Sequence, residues 1–190
     1  MQNDDYPITL NIEYPEKTSR LLTFFRPILA LPAFFILGFC MFPFYFIFPF
    51  LFLIVTFTKI YPRWMFNYFV FINKLLAQMS AYLFYLTDKY PLLSEESNVE
   101  LNIKYPERQD LHYLMPLIKF LLAIPHFIVL FFITIAWVII HTIAWFAIII
   151  LGRYPQSFFN FGIGFLRWQI RVNCYCLFLF TDKYPPFGFE

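Results

Sequence analysis

Two long apolar blocks dominate the pattern of hydrophobic and polar positions along the chain. The first block, Leu21–Thr58, contains one charged residue, Arg26, and the second, Leu114–Gly152, contains one, Lys119. A helix over the first block would be about 57 Å long, whereas the hydrocarbon core of a bilayer is about 30 Å thick. Each block is therefore too long for one straight span.

A proline lies near the beginning of each block, at the matched positions Pro32 and Pro125. A proline inside a helix breaks or bends it. We therefore predict a short lead-in helix near the membrane interface, followed by a span at about Ala33–Thr58 or His126–Leu151. A re-entrant hairpin is the alternative, and the first block favours it more than the second because it carries two further prolines.

Apolar and polar residues alternate just before each block. The stretch "ITLNIEYP" at 8–15 shows this alternation, and "VELNIKYP" at 99–106 repeats it. A period of two predicts a short β-strand. The two strands are expected to pair with each other outside the bilayer.

A second helix with a narrow polar row is predicted after each block. In the second half the row consists of Ser157, Asn160, Gly164, Arg167 and Arg171. Their spacing of three or four residues places them on one stripe of an apolar helix. The first half keeps part of this row as Asn67, Lys74 and Gln78. Such a stripe faces other helices or a wet crevice, or it belongs to a helix sunk beneath the headgroups.

The two halves of the chain repeat one another in the same order. "LNIEYPE" at 10–16 matches "LNIKYPE" at 101–107, and "LTDKYP" at 86–91 matches "FTDKYP" at 180–185. Internal repeats of this kind are frequent in membrane proteins. We interpret the chain as a tandem duplication of one unit.

The predicted fold is an all-α integral membrane protein built from two such repeats. The first membrane repeat covers 1–91, a polar linker 92–98 and the second membrane repeat 99–190. Each repeat has a short extramembrane strand, a proline-broken long apolar helix or hairpin, and an amphipathic helix, which gives about four membrane-embedded segments. Composition agrees, because 61% of the 190 residues are hydrophobic and 14% are charged, against about 25% charged in soluble chains.

Acidic residues occur only within 4–16, 88–110 and 182–190, whereas basic residues also occur in the membrane-associated parts. Cations in or beside a bilayer need counter-ions or water. Lipid phosphates are suitable partners, and arginine binds them in a forked manner. The predicted headgroup-binding residues are Arg167, Arg171, Lys74, Arg153, Arg26 and Lys119. For Arg167, Arg171 and Lys74, the alternatives are ordinary snorkelling to the interface, or Asp88 or Asp182 folding back onto these three cations.

Tyr-Pro pairs recur at the ends of the predicted membrane segments. Tyrosine prefers the headgroup level, so the predicted interfacial anchors are Tyr61, Tyr90, Tyr154 and Tyr184. Two crossings per repeat would place both termini and the linker on one side, which the positive-inside rule makes cytoplasmic. That side would carry Lys17, Arg20, Lys89, Lys104, Arg108 and Lys183, and the opposite side Lys59, Arg63 and Arg153.

The sequence predicts no catalytic site, metal site or cofactor. His112, His126 and His141 occur only in the second half and are interpreted as polar helix contacts. The three cysteines lack zinc-like spacing. A net charge of +2 without a basic face does not favour nucleic-acid binding.

Five motifs of the second half resemble a family of bacterial membrane proteins classed only as a domain of unknown function. They are "KYPERQ" (104–109), "AIPHF" (123–127), "LGRYP" (151–155), "FLRWQIRV" (165–172) and "TDKYPPF" (181–187). The first half departs from this pattern: Ala33 replaces the histidine, "TKIYP" replaces "LGRYP" and "YPLL" replaces "YPPF". The resemblance implies membership of the bacterial envelope and no particular activity.

The predicted function is non-catalytic. It is that of a structural or accessory component of the bacterial inner membrane that contacts anionic lipid headgroups and associates with other membrane subunits or with itself. One alternative is a transporter or channel for a small anion or lipid, framed by the two repeats. Membrane shaping by long hairpins and an intramembrane enzyme are the other two.

Overall fold

The computed structural model describes residues 6–15, 17–91 and 98–189 of the chain. The predicted linker at 92–98 lies outside the described residues except for Asn98. The described part is mostly helical, with one small sheet. In chain order its elements are β1 (Ile8–Ile12), α1 (Arg20–Leu29), α2 (Leu31–Thr58), α3 (Arg63–Leu83), β2 (Val99–Ile103), a 3₁₀ turn (Arg108–Asp110), α4 (Met115–Leu151) and α5 (Gln156–Cys176).

The predicted proline break is confirmed in the first half and wrong in the second. α1 and α2 meet at Ala30, which lies between Pro27 and Pro32. α4 instead continues without interruption through Pro125. Each proline removes one backbone donor and crowds the preceding turn. Two closely spaced prolines end the helix in the first half, whereas Phe120 takes the place of the earlier proline in α4.

The two predicted strands form the sheet and pair with each other, as expected from their alternation. β1 and β2 are antiparallel, with Leu10 opposite Leu101 at the centre. Both leucines belong to the main cluster of buried apolar side chains, to which α3 and α5 also contribute. Asn11, Glu100 and Asn102 point the other way and are exposed. The sheet therefore has an apolar face toward the helices and a polar face away from them.

The long segments α1–α2 and α4 run antiparallel, and their ends meet in pairs. Thr18, just before α1, donates its backbone N–H to the carbonyl of Gly152, just after α4, at 3.4 Å. Leu114, just before α4, donates to the carbonyl of Thr56 in the last turn of α2, also at 3.4 Å. α3 packs along α2 and against β2, and α5 packs along α4 and against β1.

The predicted separation of two groups of cations by a bilayer is not found. Lys59 and Arg108 were expected on opposite sides, yet they line the same shallow cavity. The Arg63 guanidinium lies 4.4 Å from the centre of the Tyr105 ring, just beyond β2. The end of the first long segment is consequently close to the residues that follow β2.

Two helices, α2 and α4, are long and apolar enough to cross a membrane. This property alone is weak evidence for a membrane protein, because a core helix of a soluble protein shares it. A core helix is mostly buried, however, whereas 11% of the most apolar stretch of each of these helices is buried. Phe35 is 78% exposed and Phe39 is 82% exposed. Large exposed apolar surfaces of this kind mark contact with a membrane or a partner.

The packing of α5 on α4 depends on a glycine. A Cβ atom at Gly162 would lie 2.7 Å from the Trp137 ring, whereas a Cβ atom at Gly38 in α2 would meet nothing within 4 Å. We expect Gly162→Val to lower the free energy of unfolding by about 1–3 kcal/mol through overpacking. Gly38→Ala, the control, is expected to be neutral or to stabilise α2 by up to about 1 kcal/mol. Thermal unfolding of the detergent-purified variants measures both effects, and equal stability would contradict this packing.

Candidate functional site

Arg26, the single cation of the first apolar block, is buried and bonded to groups in the last turn of α3 and just after it. Its guanidinium forms an ion pair with Asp88 and donates hydrogen bonds to the carbonyls of Tyr82 and Thr87, the latter at 3.1 Å. The Tyr82 ring lies 4.6 Å from the guanidinium carbon. A cation over an aromatic face gains further stabilisation when it is desolvated. We call Arg26, Tyr82, Thr87 and Asp88 the first clasp.

Lys119, the single cation of the second block, has corresponding partners after α5. Its ammonium lies 2.7 Å from Oδ1 of Asp182 and 2.8 Å from the carbonyl oxygen of Thr181. The Tyr175 ring centre is 5.2 Å away. The Lys119 side chain is 0% exposed and Asp182 is 4% exposed. We call Lys119, Tyr175, Thr181 and Asp182 the second clasp.

The other carboxylate oxygen of each clasp holds the backbone just before a long helix. Oδ2 of Asp88 accepts a hydrogen bond from the backbone N–H of Ser19 at 2.8 Å. Oδ2 of Asp182 accepts one from His112 at 2.6 Å. Negative charge is favourable at a helix N-terminus, and Ser19 is the N-cap of α1. Each aspartate thus joins the beginning of a long helix to the end of the second helix in the same half.

The clasps account for the repeated "TDKYP" stretch, because its threonine and aspartate supply the partners. Burying an ion pair is tolerated when its charges are matched and hydrogen-bonded. Asp88 and Asp182 fold back onto Arg26 and Lys119, two cations for which the sequence predicted headgroup contact. The chain itself compensates both cations, so neither requires a lipid phosphate.

The second part of the polar row of α5, from Gly164 to Arg171, is covered by other parts of the chain, whereas Ser157 and Asn160 are exposed. Nε of Arg167 donates a hydrogen bond to the Leu10 carbonyl of β1 at 2.8 Å. Burial lowers the pKa of the Arg167 guanidinium. Arg171, one turn further, is 5% exposed, and a Cβ atom at Gly164 would lie 2.5 Å from Phe189 of the C-terminal segment. β1 and the C-terminal segment therefore cover the row from Gly164 to Arg171.

Lys74 and Arg153 remain accessible at the edge of the polar layer. Lys74 lies in a shallow groove of about 440 Å³ with Gln78 and the exposed residues Glu100 and Asn102 of β2. Arg153 lines a smaller groove of about 290 Å³. Within the described ranges, neither side chain takes part in an ion pair of this chain. The headgroup-binding prediction stays a prediction for these two residues.

Two of the four predicted tyrosine anchors are instead buried in the core. Tyr61 is 1% exposed and Tyr154 is 0% exposed. The Tyr61 hydroxyl donates to the Phe178 carbonyl at 2.9 Å, and burial raises the pKa of both tyrosines. Their carbonyls accept hydrogen bonds from the hydroxyls of Tyr105 and Tyr14, respectively. These Tyr-Pro corners fasten the segments beside the strands, so the prediction of interfacial rings is wrong for them.

The other two predicted anchors lie nearer the surface. Tyr184 is 39% exposed and donates its hydroxyl to the Leu122 carbonyl at 3.2 Å. Tyr90 is half-buried, with its ring centre 5.6 Å from that of Tyr82. Tyr90 follows the aspartate of the first clasp by two residues, and Tyr184 follows that of the second clasp by two residues. Each tyrosine therefore lies between its clasp and the protein surface.

The "IPH" and "PPF" motifs of the second half meet in space, which sequence reasoning missed. Trp168 donates its indole N–H to Nδ1 of His126 at 3.0 Å, and Phe187 stacks on the His126 ring at 3.9 Å. The first half has Ala33 and Leu75 at the positions of His126 and Trp168. The replacement of both His126 and Trp168 in the first half was the sequence signal that could have revealed this contact. Across the described residues, no group of three or more histidine, cysteine or acidic side chains is arranged to hold a metal ion.

Comparisons with known proteins add one finding. No curated protein and no solved structure matches the chain. Residues 116–188, less than half of the chain and the part that holds the second clasp, match a family described as a domain of unknown function (DUF4389).

Proposed function

We propose that this chain is a non-catalytic, structural or accessory protein of the bacterial inner membrane. It contacts anionic lipid headgroups and associates with other membrane proteins or with its own copies. The observation that carries this proposal is the amphipathic arrangement of the molecule. A polar sheet face lies away from the helices, whereas α2 and α4 expose large apolar side chains over most of their surface.

Acyl chains are the environment that best fits α2 and α4. Water-exposed patches on soluble proteins rarely exceed a few hundred Å². In α2 alone, Phe35, Phe39, Tyr45 and Phe50 are each more than half exposed. Contact with lipid, or with apolar helices of other membrane proteins, removes this surface from water and so supports both parts of the proposal.

Anionic headgroups are the proposed partners of Lys74 and Arg153. Both side chains are exposed at the polar layer, where a phosphate has access to them. Each cation near an anionic membrane surface contributes about 1 kcal/mol of attraction. Arg153 is also able to bind a phosphate through two parallel hydrogen bonds.

We further propose that the molecule consists of two copies of one unit, at 1–91 and 99–190. The two clasps support this, because a buried cation, a tyrosine ring, a threonine carbonyl and an aspartate recur in each. The sheet register supports it as well. Leu10 pairs with Leu101, and these residues occupy the same position in the two copies.

Membrane shaping is the second candidate function. The observation that favours it is that the ends of the two long segments are joined in pairs and to the aspartates that follow α3 and α5. An apolar layer held in this way would occupy one leaflet more than the other. An anion path along Arg167 and Arg171 has less support, because β1 and the C-terminal segment cover that row.

Lipid retention tests the headgroup contact. We expect wild-type protein purified in a mild detergent to retain phosphatidylglycerol over phosphatidylethanolamine in native mass spectrometry. Lys74→Ala combined with Arg153→Ala should weaken retention by about fivefold for each cation, which corresponds to about 1 kcal/mol apiece. The control removes two charges after β2, through Lys104→Ala and Arg108→Ala. Equal loss in both double variants, or no anionic lipid on the wild type, would contradict the proposed contact.

A further inference from the structure

We propose that both long segments enter and leave the bilayer on the same side, so that the protein is embedded in one leaflet. The partner of its apolar face is then the acyl chains of that leaflet. This inference rests on the proposed membrane location and specifies how the membrane is contacted. It follows from where the ends of α1–α2 and α4 are attached.

One pair of helix ends is fastened beside the end of β1. Thr18 bonds to Gly152, which joins the start of α1 to the end of α4. The hydroxyl of Thr87 donates to the side chain of Asn98 at 2.6 Å. Asn98 in turn precedes β2 directly, and its carbonyl accepts from the backbone N–H of Glu13, just after β1, at 3.4 Å. The first clasp thus lies next to this end of the sheet.

The other pair of helix ends is fastened beside the opposite end of the sheet. Leu114 bonds to Thr56, which joins the start of α4 to the end of α2. The Lys59 ammonium lies 5.3 Å from the ring centre of Tyr113. Tyr105, two residues after β2, donates its hydroxyl to the carbonyl of Tyr61, just before α3. All four ends of the long segments are therefore linked to residues that flank one small sheet.

The sheet itself cannot lie in hydrocarbon. Its outer face exposes Glu100, Asn11 and Asn102, and a carboxylate at the bilayer centre costs several kcal/mol. The sheet must therefore lie in water or among headgroups. The ends of α1–α2 and of α4 are linked to the segments that flank it. A crossing would place one end of each helix about 30 Å away, on the other side of the hydrocarbon.

Between their ends, the long segments expose no charged side chain that would mark a second water interface. α2 has no charged residue, and the one cation of α4, Lys119, is paired within the second clasp. The exposed hydroxyls of Thr134 and Thr142 donate to carbonyls of their own helix at 2.7 and 2.8 Å, so they do not require water. At about 55 Å, a straight α4 is also too long for an upright span and fits a course within one leaflet.

Side-specific labelling tests this arrangement. The three native cysteines are free and are replaced by alanine. Single cysteines are then introduced as Arg63→Cys and Arg153→Cys, and as reference sites Glu100→Cys and Arg108→Cys. A membrane-impermeant maleimide is added to sealed vesicles of each orientation. We expect all four positions to react from the same side and to lose labelling together from the other side.

A split result would overturn the inference. If Arg63→Cys and Arg153→Cys react from opposite sides, the long segments cross the bilayer, because Arg63 lies near the start of α4 and Arg153 follows its end. Extraction at alkaline pH tests the membrane location separately, because release of the wild-type protein from the membrane would contradict the proposed function whatever the labelling shows. If Arg63→Cys does not accumulate, Lys59→Cys takes its place.

Discussion

Replacing Asp182 by asparagine is expected to lower the free energy of unfolding by about 3–5 kcal/mol. Asparagine keeps the shape of the side chain but removes the charge that faces the Lys119 ammonium at 2.7 Å. Lys119 is fully buried, so water does not replace the lost partner, and the Thr181 carbonyl and the Tyr175 ring compensate a full charge poorly. Equilibrium unfolding of the detergent-purified protein measures the loss.

Asp88→Asn is the matched control in the first clasp. Arg26 would retain the carbonyls of Tyr82 and Thr87, and Asp88 is 29% exposed. The expected loss is therefore smaller, about 1–3 kcal/mol. Adding Lys119→Met to Asp182→Asn should restore part of the stability, because no buried charge then remains unpaired. Equal losses in the two aspartate variants, or no recovery in the double variant, would contradict the account of the second clasp.

The elements that depend on local patterns could be predicted from the sequence. A period of two identified both strands, and long runs of apolar residues identified α2 and α4. The pairing of the strands followed because two short strands with one apolar face each bury that face best together. Breaks were harder to place, since Pro125 has the same local signature as Pro32 but lies within a continuous helix.

The clasps were not predicted from the sequence, which suggested a fold-back of Asp88 or Asp182 only for Arg167, Arg171 and Lys74. Arg26 and Asp88 are separated by 62 positions, and no periodicity connects residues so far apart. The separation of acidic from basic stretches along the chain favoured lipid phosphates as counter-ions. The fold removes that separation. α3 returns along α2 and α5 returns along α4, so that the aspartate after each of them, Asp88 or Asp182, lies beside the cation of the same half. The sequence signal for the clasps was that each half has one cation, Arg26 or Lys119, and one aspartate, Asp88 or Asp182, at matched positions.

Burial of the Tyr-Pro corners also depends on tertiary packing. Tyr154 and Tyr184 stand in similar local sequences, yet the first is 0% exposed and the second is 39% exposed. The preference of tyrosine for the interface is statistical. It is overridden at Tyr61 and Tyr154, where the chain turns beneath a strand and the ring fills the core.

A charge on the apolar face should remove the protein from the membrane. Phe39 in α2 is 82% exposed and Phe132, at the matched position in α4, is 64% exposed. Aspartate at either position therefore removes little packing within the chain. In water the cost would be within about 0.5 kcal/mol. In hydrocarbon each aspartate costs about 2.5–3.5 kcal/mol, and the two sites are expected to add because they share no contact.

We therefore expect Phe39→Asp with Phe132→Asp to lose about 5–7 kcal/mol of membrane insertion. The measured quantity is the fraction that resists alkaline extraction, compared with wild type. Phe39→Leu with Phe132→Leu is the control, because it keeps both positions apolar and should remain in the membrane. Thermal unfolding in detergent distinguishes loss of insertion from loss of folding. An aspartate variant that stays in the membrane with unchanged stability would mean that these faces do not contact lipid, and the placement of α2 and α4 in a bilayer would then fail.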